Sequence, residues 1–468
     1  MTVSREPRVA ILGVAIDNLT MDEVLDAVET QIAEGGFHQI ATANVDFLMR
    51  AVHDEELRET LCRCDFVLAD GMPLVWASRL LGTGLKERVA GADLVPRLAE
   101  LSARRGYRIF LLGANEQSSA GTAAWMQEKF PRSCIVGRYS PEYEPLEEMD
   151  HEDILSRIEA ARPDILLVAF GNPKQEKWLA MHRHRLKVPV CIGVGGSFDF
   201  LSGRVSRAPL WMQSRGLEWL YRMIQEPSRL AMRYVTNAAG LIRYLPVQVV
   251  AMAIQAKRSS QAQITTEVVG AATVLGIDGD FTGSLLERFE AEGRNAIVSG
   301  SHVVIDMSKT AYIGADALGT LIHLLNLARH WKRELWLAGL HPFLLRVIRA
   351  AQLGPSFRIA PKVAEALRRI EPELLPVPQP GKDWAFCRIG GVMIPIHFQE
   401  VPEVYRQVQL LLDQRPMVEP TAGMWSCDQD KNASTQKLPS VNVLQDDGAG
   451  AEQVTWPHYS GSPAAVNG

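Results

Sequence analysis

Across its first two hundred residues the chain alternates short, apolar, β-branched runs with longer stretches whose apolar residues fall at helical spacing. The strand-like runs are 8–16, 39–45, 65–70, 107–113, 135–139, 164–170 and 188–195, with helical patterns such as 118–130 and 153–161 between them. Strand, helix, strand repeated in this way restricts the fold to α/β: a Rossmann-like, mostly parallel sheet with helices on both faces. That architecture suits nucleotide ligands but does not name one.

Length and charge narrow the classes further. A chain of 468 residues predicts two to four domains. Its 49 Lys and Arg against 54 Asp and Glu give a net charge of -5, so bulk charge offers no reason to expect a nucleic-acid partner. Six cysteines are too few for a disulfide framework, and Cys62 and Cys64 lack the second pair that a zinc site needs, so they read as buried, reduced thiols. The apolar start reads as a first strand rather than a signal peptide, and no segment reaches the roughly 20 apolar residues of a membrane span. No strand is followed by G-x-G-x-x-G and there is no G-x-x-x-x-G-K-[ST] loop, which removes the main support for a dinucleotide oxidoreductase or a P-loop ATPase.

The pattern divides the chain into a core over 1–206, an appendage and linker over 207–258, a second and smaller α/β unit over 264–370, an extension over 371–415 and a disordered tail over 416–468. Residues 204–243 hold seven arginines, no lysine, and only Glu218 and Glu226 as acids, together with Trp211, Trp219, Tyr221 and Tyr234. Arg215, Arg222 and Arg229 are seven apart and Arg233 follows four later, a spacing that makes one stripe on a helix. Pro227 predicts two helices, the second starting near it. Arginine interleaved with tryptophan suits anionic lipid headgroups or a polyphosphate. Within the extension, a hairpin and a helix over 404–412 are expected from 384–414.

Ligands of open parallel sheets bind beyond the carboxyl ends of the strands. Those ends collect Thr42 and Asn44, Asp70-Gly71, Gly113-Ala-Asn115, Gly171-Asn-Pro-Lys-Gln175-Glu176 and Gly195-Gly196. Asp70 is either a general base aimed into a cleft or the cap of the helix starting near Pro73, and spacing alone favours the cap. The turn at Gly113 offers helix N-terminal amides to a phosphate. Gln175 and Glu176 stand ready to bond a base or sugar, or form a solvated first turn. Arg88 either neutralises a diphosphate or pairs with Glu87, Asp93 or another acid. His182-Arg-His-Arg185 lacks metal-ligand spacing and reads as a solvated face.

Taken in order, Thr42-Ala-Asn44, Ala69-Asp70-Gly71, Arg88-Val-Ala-Gly91-Ala-Asp93, Gly171-Asn-Pro-Lys-Gln175-Glu176, Val194-Gly-Gly-Ser-Phe-Asp199 and Arg207-Ala-Pro…Gly216-Leu-Glu-Trp-Leu-Tyr-Arg222…Glu226-Pro resemble the WecG/TagA/CpsF glycosyltransferases (glycosyltransferase family 26). The resemblance covers about 8–245. It implies an inverting transferase that needs no metal or cofactor and moves an N-acetylmannosamine-type hexose from a UDP donor to a polyprenyl-diphosphate-linked sugar. Asp70 is then the base, and Thr42 and Asn44 line the pocket. Arg88 and Gln175 contact the nucleotide sugar, with Asp93, Gly113, Glu176, Gly195 and Gly196 in the same site. Arg207, Arg215, Arg222, Arg229 and Arg233 meet the membrane or the diphosphate. The implied location is the cytoplasmic face of a bacterial plasma membrane.

The second unit is similar to a STAS domain, the fold of anti-sigma-factor antagonists, through Val303-Val-Ile-Asp306 and Gly314-Ala315-Asp316. Gly314 and Ala315 stand where that family has Asp-Ser, so the phosphorylation point is missing and the unit is expected to bind or scaffold a protein partner. The remaining partner expectations are the lipid-linked acceptor, an anionic membrane surface and a second copy in a homo-oligomer, with no nucleic acid. The competing function is a regulatory protein with an inactive front domain, acting through its STAS unit.

Overall fold

The structure, a computed structural model, describes residues 8–255 and 262–371 and the strand segments 384–389 and 392–397. The run 8–16, expected as one strand of the main sheet, is instead a separate antiparallel hairpin of β1 (Val9–Ile11) and β2 (Val14–Ile16). Leu12 and Gly13 between them both have positive φ, 47° and 87°, the geometry of a two-residue turn that matches strand twist. A buried ion pair from Arg8 Nε to Asp17 Oδ1 (2.8 Å) closes the hairpin's ends.

The main sheet comprises β3 (His38–Ala43), β4 (Phe66–Ala69), β5 (Arg108–Gly113), β6 (Cys134–Tyr139), β7 (Ile165–Ala169) and β8 (Val190–Gly193). Its order is β4-β3-β8-β7-β5-β6, and every pairing is parallel. All but the edge strand β6 are buried almost throughout, as strands covered on both faces must be. The order places the carboxyl ends of β4, β3, β8 and β7 side by side and sends those of β5 and β6 to the far edge.

The appendage forms three helices rather than two: Leu210–Ser214, Glu218–Gln225 and Pro227–Ala253. Pro227 begins the long helix, where its missing N–H costs nothing. The arginine stripe does not form. Arg215 ends the first helix, Arg222 lies on the second, and positions 229 and 233 lie on the third. The break falls at Gly216, whose φ of 71° suits glycine. A Cβ there would lie 2.5 Å from the Met72 Cβ, so the missing side chain lets the appendage close onto the helix Met72–Leu80.

The second unit is a five-stranded sheet of β9 (Gln263–Val269), β10 (Ala272–Phe281), β11 (His302–Ile313), β12 (Leu335–Ala338) and β13 (Arg358–Ala360). The order is β13-β12-β11-β10-β9, with β9 antiparallel and the rest parallel. Helices Leu285–Val298, Ala315–His330 and Pro342–Ala350 accompany it. One apolar core runs from the β1–β2 hairpin through Leu245 and Met252 of the appendage into this unit. The two faces of the main sheet carry their own clusters. Further on, β14 (Trp384–Ile389) and β15 (Val392–His397) pair as the expected antiparallel hairpin. The helix expected over 404–412 and the tail from 416 lie outside the described residues.

Candidate active site

A cavity of about 540 Å³ opens where the carboxyl ends of β4, β3, β8 and β7 meet the appendage. Thr42, Asn44, Asp70, Gln175, Gly195 and Gly196 line it from the sheet, and Arg222 and Arg233 from the appendage. Thr42 Oγ1 donates to the Gly193 carbonyl (2.8 Å), latching β3 to β8 across the cavity floor. Asn44 Oδ1 accepts from the amides of Asp46 and Phe47 and so caps the helix Val45–His53. Gln175 Oε1 accepts from Gly171 N and Gly195 N, both at 3.1 Å, tying together the loops after β7 and β8.

Asp70 does not cap the helix after it. Gly71 holds the cap position of Met72–Leu80, and no side chain caps it. The Asp70 N–H donates to Ala43 O (2.7 Å), which extends the β3–β4 ladder and delivers the carboxyl to the cavity. Burial pushes that carboxyl up to about 6; Arg88 and Arg222 pull it down, Glu218 pushes it further up. A carboxylate poised near neutrality in a cleft has the properties of a general base.

Arg88 is not free to meet a ligand alone. Its Nη2 donates to Asp93 Oδ2 (2.7 Å) and its Nη1 to Glu218 Oε2 (3.2 Å). Arg207 contacts the same two acids, through Nη2 to Asp93 Oδ1 (2.6 Å) and Nε to Glu218 Oε1 (3.2 Å). The four residues close a charge-neutral ring that pins the appendage to the core, with Arg88 and Glu218 still reaching the cavity wall. By contrast, Arg222 lies 4.7 Å over the Phe200 ring and makes no ion pair among the described residues. The buried Arg233 Nε has no hydrogen-bond partner there either. These two guanidiniums are the uncompensated positive charge of the cavity. Arg215 is exposed and outside it, and the Arg229 side chain lies outside the described residues.

Gly113 ends β5, the fifth strand across, beyond the reach of the cavity. The helix after it is capped by its own Asn115, which accepts from Ser118 N (2.8 Å). Glu176 is neither a ligand group nor a solvated first turn. It is 1% exposed beneath the cavity, where its Oε1 accepts from Gln175 Nε2 (2.7 Å) and its Oε2 has no partner among the described residues. Burial pushes its carboxyl up to about 8, so it is a neutral acid at pH 7. The ordinary value is 4.5. The stability its proton provides is therefore complete below about 4.5 and lost as pH rises through about 8. Glu176→Gln keeps the shape and the accepted bond without a titrating group. It should match the parent at pH 4 and exceed it at pH 9 by about 3–5 kcal/mol at most. Urea unfolding at both pH values checks this; a parent curve as flat with pH as the variant's would refute the neutral assignment.

Sequence reasoning passed over Asp46, Glu218, Tyr234 and Asn237. Asp46 Oδ1 accepts from Asn237 Nδ2 (3.1 Å) on the long appendage helix, and its Oδ2 accepts from Arg50 Nε (2.9 Å) and Asn172 Nδ2 (3.4 Å). Glu218 had a legible signal, being one of two acids among seven arginines. The expected solvated face at 182–185 is corrected at its first residue. His182 is buried, its Nε2 stands 3.1 Å from His151 Nδ1, and burial pushes its pKa down to about 4. Among the described residues no three His, Cys, Asp or Glu side chains are grouped to hold a metal, and no helix is long and apolar enough to cross a membrane.

A parallel α/β sheet that sets a carboxyl poised at about 6 in the same cleft as two guanidiniums without ion-pair partners among the described residues can hold an anionic group beside a general base, as a group-transfer enzyme requires. The chain belongs to the glycosyl transferase WecG/TagA/CpsF family, which it matches over residues 9–254, and it is a glycosyltransferase. Residues 263–366 match the STAS domain. The N-acetylglucosaminyldiphosphoundecaprenol N-acetyl-beta-D-mannosaminyltransferase of Bacillus subtilis (strain 168) is 37% identical over 190 residues, covering 41% of this chain and 72% of that protein. The protein of the same description from Staphylococcus aureus (strain MRSA252) is 30% identical over 229 residues, covering 48% and 88%. Among solved structures, the anti-sigma factor antagonist SpoIIAA in its unphosphorylated form aligns with a TM-score of 0.22 at 18% identity, covering 24% of this chain and 97% of that one.

Proposed function

We propose that the chain transfers an N-acetylmannosamine-type hexose from a UDP-sugar to a polyprenyl-diphosphate-linked sugar, with inversion, no metal ion and no cofactor, in the synthesis of a bacterial surface polysaccharide. The observation that carries the reading is Asp70, a carboxyl at about 6 in a cavity whose unpaired charges are Arg222 and Arg233. Asp70 takes the proton of the acceptor hydroxyl as that oxygen bonds the anomeric carbon. The carbon–oxygen bond to UDP breaks on the opposite face, and UDP leaves with the electron pair. Arg222 and Arg233 take up the charge growing on the departing diphosphate, the work a metal ion does in other transferases. The names of the relatives support both the acceptor class and the sugar.

The appendage also supplies a face for the lipid. Trp211, Ile224, Met232, Val235 and Ile242 are exposed large apolar side chains on its three helices, and arginines lie among them. Such a surface seats at an anionic headgroup layer, next to where a polyprenyl diphosphate presents its sugar. The test uses the full chain, UDP-N-acetylmannosamine and a prenyl-diphosphate N-acetylglucosamine in vesicles, with UDP release as readout. Turnover should survive EDTA, run faster on phosphatidylglycerol than on phosphatidylcholine vesicles, and lose that advantage as salt is raised. Absence of turnover with every UDP-sugar tried would overturn the reading in favour of action through the STAS domain alone.

A further inference from the structure

The STAS unit, expected to bind or scaffold a protein partner, packs one of its helices against its own chain. Every residue from 313 to 322 is buried, so the first half of the helix Ala315–His330 is covered on the face turned away from its sheet as well as on the face turned towards it. The cover is the β1–β2 hairpin and the helix Glu55–Arg63 of the catalytic part. A Cβ at Gly319 would lie 2.1 Å from the Arg8 carbonyl oxygen, so the two backbones are in contact. The contact carries polar specificity too: Asn326 Nδ2 donates to the Cys62 carbonyl, and Arg329 faces Glu59 at 3.7 Å.

The long appendage helix is fastened to this junction by two glutamines, one on its last turns and one just beyond it. Gln248, fully buried, donates to Ala10 O (2.9 Å) and accepts from Leu12 N (3.0 Å) of the hairpin. Gln255, just past the helix end, donates to Ile313 O (3.1 Å) and accepts from Ile313 N (2.9 Å) where β11 ends. Each side-chain amide thus pairs with main-chain groups as a neighbouring strand would. About 16 Å from Gln248 along the same rod, at 1.5 Å per residue, Asn237 is bonded to Asp46, and Arg233 and Tyr234 line the cavity one turn further on.

We propose that the STAS domain is a fixed internal partner which, through Gln248 and Gln255, sets the position of the appendage helix and so of the cavity wall formed by Arg233, Tyr234 and Asn237. Gln248 and Gln255 are positioning residues and touch no substrate. The helix is held at Asn237 and again at Gln248 and Gln255; Pro246 removes one rung of its ladder between them, and the remaining i→i−4 bonds carry a displacement from one end towards the other. The outer face of Ala315–His330 is occupied, so a foreign partner reaches it only by displacing the hairpin and loosening the active site.

Two full-length variants test this. Gln255→Ala removes the pairing with Ile313. Gly319→Val drives a side chain between the STAS helix and Arg8. Amide hydrogen exchange over 233–241 should rise about tenfold in both, with β3, β7 and β8 unchanged, and Gln255→Glu, which can still accept from Ile313 N, should fall between. The kinetic arm, which rests on the glycosyl-transfer reading, expects kcat/KM for the donor to fall about fivefold to tenfold. Should the parent show no turnover, that reading fails while the exchange result still stands. Exchange that rises only at 248–255 and 313–322, with 233–241 unmoved in Gln255→Ala, would overturn the coupling even if Gly319→Val fails to fold.

Discussion

Asp70→Asn should lower kcat by about a thousandfold, within the 10²–10⁴ range of a lost general base, while making the folded protein more stable at pH 8. The two effects have one origin. The carboxyl sits partly buried at the end of β4, where desolvation lifts it from 3.8 to about 6 against the pull of Arg88 and Arg222. The folded value lies above the ordinary one, so the stability supplied by the proton is complete below about 3.8 and lost as pH rises through about 6. At pH 8 the parent carries the whole cost of a buried charge, on the order of 1–3 kcal/mol, and Asn does not. UDP release at saturating substrate gives the first effect. Melting temperatures at pH 4 and pH 8 give the second, with the two proteins expected to coincide at pH 4. The parent's kcat/KM should fall off below about pH 6, and the variant's residual rate should not follow that limb. A variant retaining kcat within tenfold would remove Asp70 as the base, and one less stable than its parent at pH 8 would overturn the raised carboxyl.

The parts of this site visible in the sequence are those fixed by position along a strand. Thr42, Asn44, Asp70, Gln175 and Gly195 follow apolar runs, and the carboxyl ends of parallel strands face one edge, so local pattern suffices to gather them. Gly113 has the same local signature yet lies outside the cavity, because strand order is set by crossovers that no local pattern encodes. Spacing favours Asp70 as a cap, and the structure differs because Gly71 takes the cap position. The arginine stripe requires one helical register through Gly216 and across Glu226-Pro227. Pro227 does start a helix, but the break at Gly216 depends on a close approach to Met72 that only the tertiary fold reveals. For Arg88 the local pairing with Asp93 is one of the two sequence readings and it forms, whereas the second acid, Glu218, lies 130 positions away and only the tertiary fold brings it in. The fusion of the hairpin with the STAS helix was the least legible feature. The run 8–16 satisfies the criterion for a core strand, and nothing in it announces that its partner lies three hundred residues downstream.

In the proposed reaction the internally neutral Arg88 ring leaves the diphosphate to Arg222 and Arg233, and Arg222→Met should lower kcat/KM about 10²–10³-fold, the range for losing a preorganised charge at a leaving group. Methionine retains much of the stem that packs beside Phe200, so the loss isolates the guanidinium. Arg222→Lys should recover only part of it, since an ammonium returns the charge without the planar fork that grips two phosphate oxygens. A second signature follows from the coupling to Asp70. Arg222 holds that carboxyl down, so its removal should move the acidic limb of the rate profile above pH 6. Arg88→Met should move the limb further, because Arg88 is the stronger of the two pulls. It should also loosen the appendage, as Asp93 and Glu218 then face Arg207 alone. UDP affinity measured by calorimetry separates the roles: a marked loss is expected for Arg222→Met and a smaller one for Arg88→Met. The reverse order, with Arg222→Met within threefold of the parent in kcat/KM and Arg88→Met unable to bind UDP, would mean that the ring opens to receive the diphosphate and that Arg88 carries it.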